Sequence, residues 1–183
     1  MQALNTCDVF ISYKFATGSE AAEQLCQAVE EIGLRCWYAG RDAVSNYADE
    51  IVQAVASCRF FVVIVDEMAA KSEHVSKELG MVVDQIAAGQ HIHMFGLQTQ
   101  PFEMPQTSFK YCMQNVQRYD AVNQPLESAI DLMISNIQRL LTADAAPDAS
   151  SAGPKTVPAP HYRIQSRVSL PRAQVLGREE TLE

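Results

Sequence analysis

Positive charge is scarce in this sequence. Fourteen Lys and Arg stand against 22 Asp and Glu, a formal net charge of -8, with a pI near 5.0. That balance argues against a binder of duplex nucleic acid, which needs clustered cations to displace counterions from phosphates. Long apolar runs are missing too. The best unbroken one, Phe60 to Val65, is far too short to span a bilayer, and residues 1–12 lack the basic start and apolar stretch of a signal peptide. The expectation is a cytoplasmic chain that binds neither nucleic acid nor membrane. No C-x-x-C pair occurs among Cys7, Cys26, Cys36, Cys58 and Cys112. An odd, scattered set in a chain without a secretion signal reads as reduced thiols packed as small hydrophobes, not as a disulfide framework or a metal site.

What is present is a regular alternation. Short runs rich in β-branched and aromatic residues occur at Val9 to Ile11, Leu34 to Tyr38, Phe60 to Val65 and His91 to Leu97, each of strand length. Between them lie helical patterns. Ser19 to Ile32 puts Ala22, Leu25, Val29 and Ile32 on one face and stops at Gly33; Tyr47 to Ser57 repeats the device with Ile51, Val52 and Val55. A third helix starts at the N-cap Ser72 and carries Val75, Leu79, Val82, Val83 and Ile86 toward Gly89. A fifth strand near Val116 to Tyr119 and a last helix from about Pro125 to Leu141 complete the pattern. The fold class expected is α/β: a flavodoxin-like, doubly wound five-stranded parallel sheet with helices on both faces.

Residues 1–142 make one domain on this pattern. Residues 143–170 shift to Ala, Pro, Ser, Asp and Gly without apolar periodicity, the composition of a linker. Residues 171–183, PRAQVLGREETLE, resemble the opening of a downstream P-loop NTPase domain of the STAND or AAA type, or else form a simple tail. No G-x-x-x-x-G-K-[ST] follows within the chain.

In an open parallel sheet of order 2-1-3-4-5, ligands bind beyond the carboxyl ends of the strands, where the order reverses between the first and third strands. That rule selects Ser12 to Phe15, Asp66 to Lys71 and the first turns of the helix after Ser72, with the loop Ala39 to Asn46 able to fold over the same edge. Within that set Glu78 lies beside the core-facing Leu79, with His74 one turn back. A receiver domain would use Asp66 but needs an acidic pair where this chain has Ser12, Tyr13 and Lys14. A flavodoxin would use Ala16 to Glu20 as a phosphate loop, yet the aromatics that sandwich a flavin are absent from Asp66 to Lys71; Thr17-Gly18-Ser19 reads as a turn and N-cap.

A third pattern fits best. Asp8-Val9-Phe10-Ile11-Ser12-Tyr13, Cys36-Trp37-Tyr38 with Gly40-Arg41-Asp42, Ser57 to Val65, and Ser72 followed six residues later by Glu78-Leu79 resemble the successive motifs of the TIR (Toll/interleukin-1 receptor) domain, of the prokaryotic NAD-cleaving type. Two departures stand out: no Pro-Gly follows Arg41-Asp42, and His74-Val75 replaces the frequent Trp-Cys before the glutamate.

The resemblance implies an NAD glycohydrolase or ADP-ribosyl cyclase, an effector or signal generator in antiviral-type defence that works when two TIR copies associate. It implies Glu78 as the catalytic carboxylate and Ser12, Tyr13, Lys14, Trp37, Arg41, Ser72 and His74 as substrate-binding residues. Lys14 and Arg41 would meet the pyrophosphate; Trp37, with Phe10 and Tyr38, offers a ring for stacking but lies on a strand that reads as core. NAD is then substrate, with no cofactor and no metal required; His91 and His93 share a strand face without a third ligand and read as structural. The other function the resemblance allows is a non-catalytic TIR–TIR adaptor, which assembles without consuming NAD.

Overall fold

The computed structural model describes residues 6–42, 47–105, 108–114 and 116–144. Five strands, β1 (Val9–Ser12), β2 (Cys36–Tyr38), β3 (Phe60–Val65), β4 (His93–Gln98) and β5 (Gln117–Asp120), form one sheet. All pairings are parallel and the order is β2-β1-β3-β4-β5, the order expected from the alternating pattern. The helices are α1 (Phe15–Glu31), α2 (Ala39–Asp42), α3 (Tyr47–Ser57), α4 (Glu67–Ala70), α5 (Glu73–Ala87), α6 (Ser108–Met113) and α7 (Leu126–Asp144).

Strand alternation divides the core in two. Phe10, Trp37, Phe61, Val63 and Val65 face α3, α4, α5 and α6; Val9, Ile11, Phe60, Val62, Ile64 and Phe95 face α1 and α7. β3 is buried along its whole length because it lies under helices on both faces. Each fully buried ring, such as Phe10, Phe60 or Phe61, contributes roughly 1.5–3 kcal/mol relative to exposure. Four of the five cysteines are buried and Cys112 partly so, all as free thiols.

Helix ends follow the glycines: Gly33 and Gly89 take φ of +82° and +97° just beyond α1 and α5, a conformation that closes a helix without strain only where no Cβ is present. The start of α1 departs from expectation. The helix begins at Phe15, four residues earlier, and runs through Thr17-Gly18-Ser19, so that stretch is neither turn nor N-cap. Gly18 is buried, and a Cβ there would lie 3.1 Å from Tyr13 Cβ and 3.4 Å from Ile64 Cγ2. The glycine is present for close packing of the helix on the sheet, and Ser19 Oγ donates back to the Phe15 carbonyl within the helix.

The segment after β2, expected as a loop, is a short helix over Ala39–Asp42; residues 43–46 lie outside the described residues. The poorly patterned stretch after β4 contains α6, which presses Phe109 and Met113 into the core. α7 continues to Asp144; the expected linker beyond that residue and the segment 171–183 lie outside the described residues. Among the described residues no helix is long and apolar enough to cross a membrane.

Candidate active site

β1 lies between β2 and β3, with Ser12 opposite Val63, so its last residue opens onto the edge where strand order reverses. α5 brings Glu78 to that edge. Ser12 Oγ donates to Glu78 Oε2 at 2.5 Å, across 66 residues of sequence. Both residues are buried, Glu78 at 6% exposure. Burial pushes the Glu78 carboxyl up to about 7 from an ordinary value of 4.5, against the opposing pull of the Ser12 hydrogen bond. Desolvation dominates because a charged carboxylate loses more on leaving water than one hydroxyl donor returns. The group therefore changes charge near neutral pH, an uncommon property for a glutamate on a helix.

Two clefts flank it. The larger, about 530 Å³, lies between α3 and α5; Ile51, Val52 and Met81 give it an apolar wall and Glu78, Lys77 and His74 polar edges. Gly80 lines this groove, and a Cβ there would meet nothing within 4 Å. The smaller, about 270 Å³, lies among the β1–α1 junction, α2 and the start of α5, with Tyr13, Lys14, Phe15, Gly40, Ser72 and His74 on its walls. His74, exposed on the first turn of α5, lines both.

Of the residues selected from sequence, Ser12, Tyr13, Lys14, Ser72, His74 and Glu78 gather at this edge. Lys14 is the N-cap residue of α1 and half-buried. Ser72 is the N-cap residue of α5, but its side chain makes no capping bond; its backbone carbonyl accepts from Ser76 N. Tyr13 packs so tightly against α2 that a Cβ on Gly40 would overlap its hydroxyl.

Trp37 and Arg41 are directed elsewhere. Trp37 is 4% exposed and stacks on Phe10 at 4.8 Å between ring centroids, inside the α3/α5-side core. Arg41 folds back over the opposite face of the sheet, where α1 packs. Its guanidinium donates to Glu30 Oε1 at 2.6 Å, Asp42 Oδ1 at 2.8 Å and the Cys36 carbonyl at 2.6 Å. With those acceptors engaged, Arg41 braces α2 against α1 and presents its charge there. Asp66 caps α4 through Ala69 N at 2.7 Å.

Four further residues belong to the clefts: Phe15 closes the stretch that strand order selects, Val52 was expected on the core-facing stripe of α3 but is half exposed, and Gly80 and Met81 were not singled out by sequence. Of the last two only Gly80 carried a signal, since a glycine inside a helix costs about 1 kcal/mol relative to alanine and so marks a position with a separate use. Among the described residues no group of His, Cys, Asp and Glu is arranged to hold a metal ion.

The family model for the TIR domain matches residues 9–134, well over half of the 183-residue chain. This chain belongs to the TIR domain family. Its fold agrees with that of solved TIR structures. The TIR domain of the Toll-related receptor TRR-2 from Hydra magnipapillata is 18% identical, with a TM-score of 0.55 over 76% of this chain and 98% of that one. The TIR domains of the activated Roq1 resistosome, which directly recognises the pathogen effector XopQ, are 15% identical, with a TM-score of 0.59 over 72% of this chain and 99% of that one. A metazoan TIR-STING receptor from C. gigas in complex with 2',3'-cGAMP is 18% identical, with a TM-score of 0.53 over 72% of this chain and 40% of that one. At these identities the likeness carries the fold alone. No curated protein matches the chain.

The Ser12–Glu78 hydrogen bond makes a separable prediction. Ser12→Ala removes the one donor that favours the charged carboxylate, so the Glu78 midpoint should rise by about one unit. Carboxyl NMR of the folded protein measures this without reference to any activity.

Proposed function

We propose that this TIR domain cleaves the bond between nicotinamide and ribose in NAD, with Glu78 as the catalytic carboxylate. The observation that carries the proposal is a buried, nearly neutral-titrating glutamate, anchored by Ser12 at the edge of a 530 Å³ groove at the switch point of the sheet. Carboxyls shifted by burial at the edge of a groove concentrate at functional sites, which supports a reacting role for Glu78.

The chemistry suits a lone carboxylate. Ordinary glycosidases need a second carboxyl to protonate a poor leaving group. Nicotinamide in NAD is already cationic, and when its bond to ribose C1' breaks the electron pair stays on the ring nitrogen, so it departs neutral without a proton. Positive charge then develops on the ribose. An ionised Glu78 stabilises that charge more strongly than it stabilises the ground state, and the burial of the carboxyl strengthens the interaction by limiting its contact with water. Attack on C1' by water, which releases one proton to solvent, completes hydrolysis; attack by the adenine ring of the same molecule gives a cyclic product.

TIR domains of the Roq1 resistosome belong to an activated assembly, which supports a requirement for self-association here. Release of nicotinamide by the full chain should then rise more steeply than linearly with protein concentration, measured by chromatography of NAD incubations over a dilution series. Equal release by Glu78→Ala and wild type would sink the assignment. In the cell such an activity would serve as an effector or signal generator of antiviral-type defence, triggered by a sensor or NTPase module in the same protein.

A second reading, a non-catalytic TIR–TIR adaptor, draws on Arg41. Its guanidinium is committed to α1, leaving the segment after β2 without that charge toward the cleft. It predicts assembly with no loss of NAD.

A further inference from the structure

Phe15 is the most exposed large apolar side chain among the described residues, at 74%. It lies at N1 of α1, directly after the half-buried Lys14, and forms part of the wall of the 270 Å³ cleft with Tyr13, Ser72 and His74. A ring in that position contributes little to the core. Its exposure leaves an aromatic face open to solvent at the wall of the cleft, a surface that a flat ring can cover.

The two clefts give a dinucleotide a direction. The ribose that reacts must lie at Glu78, and Glu78 lines the larger groove and not the smaller one. The nicotinamide half therefore occupies the groove between α3 and α5. His74 is common to both clefts, so a pyrophosphate crossing from one to the other passes it and reaches Lys14. What arrives in the smaller cleft is the second base. We infer that Phe15 is the stacking platform for the adenine ring of the dinucleotide, a substrate-binding role that rests on the NAD reading above. Adenine offers a broad π-face, and an exposed phenyl ring beside a lysine fits a base with phosphate attached. The aromatic surface is thus supplied by the start of α1, with His74 of α5 on the same cleft.

Equilibrium binding tests this without depending on turnover. ADP-ribose, which retains the adenine, and ribose 5-phosphate, which does not, are titrated calorimetrically into the full chain and its Phe15 variants. Wild type should bind ADP-ribose, Phe15→Ala should weaken it roughly five- to tenfold, and Phe15→Trp should restore it. Ribose 5-phosphate should bind all three alike. Because the ring is exposed, thermal melts of the three proteins should coincide. For NAD cleavage, Phe15→Ala should raise KM with kcat held.

Equal ADP-ribose affinity in wild type and Phe15→Ala overturns the inference, as does failure of wild type to bind ADP-ribose. Loss of self-association in Phe15→Ala with unchanged ADP-ribose affinity also overturns it, by making the ring an interface residue. If ADP-ribose binding depends on Phe15 while no nicotinamide is ever released, the cleavage reading fails and the stacking site stands.

Discussion

At pH 8, Glu78→Gln should be more stable than wild type by up to about 3 kcal/mol. The folded Glu78 carboxyl titrates near 7 and the unfolded one near 4.5, so between those values the native state holds a proton that the unfolded state has lost. Stability of the wild type therefore falls as pH rises through this window, reaching its full penalty above pH 7, and the difference between the two midpoints corresponds to about 3 kcal/mol. Below pH 4.5 the carboxyl is protonated in both states and the penalty disappears. Glutamine is nearly isosteric, still accepts from Ser12 through its amide oxygen and never ionises. Denaturant unfolding of both proteins at pH 8 and pH 4 should give a gap at the first value that closes at the second. A gap of equal size at both would show that the substitution acts through packing and not through charge. On the proposed mechanism the same substitution should cost roughly 10²–10³-fold in nicotinamide release, since it removes the charge assigned to oppose that developing on ribose. Stability gained and activity lost at one residue is the expected mark of a site built against folding preference.

Activity should follow the same ionisation. On the proposed mechanism only the carboxylate form of Glu78 would stabilise a cationic ribose, so the rate should level above pH 7 and fall about tenfold per unit below it, to roughly a hundredth at pH 5. The sign distinguishes this mechanism from one in which Glu78 donates a proton, which would be fastest on the acid side. Ser12→Ala should move the midpoint of this rate profile to higher pH, in step with the carboxyl titration. A rate constant across pH 5 to 8 in wild type would separate Glu78 from the chemistry.

The sheet was legible because β3 alone, six apolar residues of strand length, demanded burial on both faces, and the helices between strands carried clear 3.6-residue periods ending at Gly33 and Gly89. The position of Glu78 followed from strand order. The start of α1 was not legible, because Thr17-Gly18-Ser19 has the composition of a turn while the need for a small residue at position 18 arises from Tyr13 and Ile64, one close in sequence and one 46 residues away. Arg41 shows the same limit: a cation near the crevice in sequence is drawn to Glu30, Asp42 and the Cys36 carbonyl by a local geometry that spacing does not encode. Trp37 follows the expectation for a strand aromatic and joins the core. The groove between α3 and α5 depends on how two helices pack, and only Gly80 hinted at it.

The most direct test of the account follows nicotinamide release from NAD by concentrated or artificially clustered full chain, wild type and Glu78→Gln in parallel, at pH 8 and pH 5. Wild type should release nicotinamide fast at pH 8 and about a hundredfold more slowly at pH 5, and the variant should release it slowly with little dependence on pH. Release by Glu78→Gln that matches wild type, or that keeps the same fall between pH 8 and pH 5, would contradict the account.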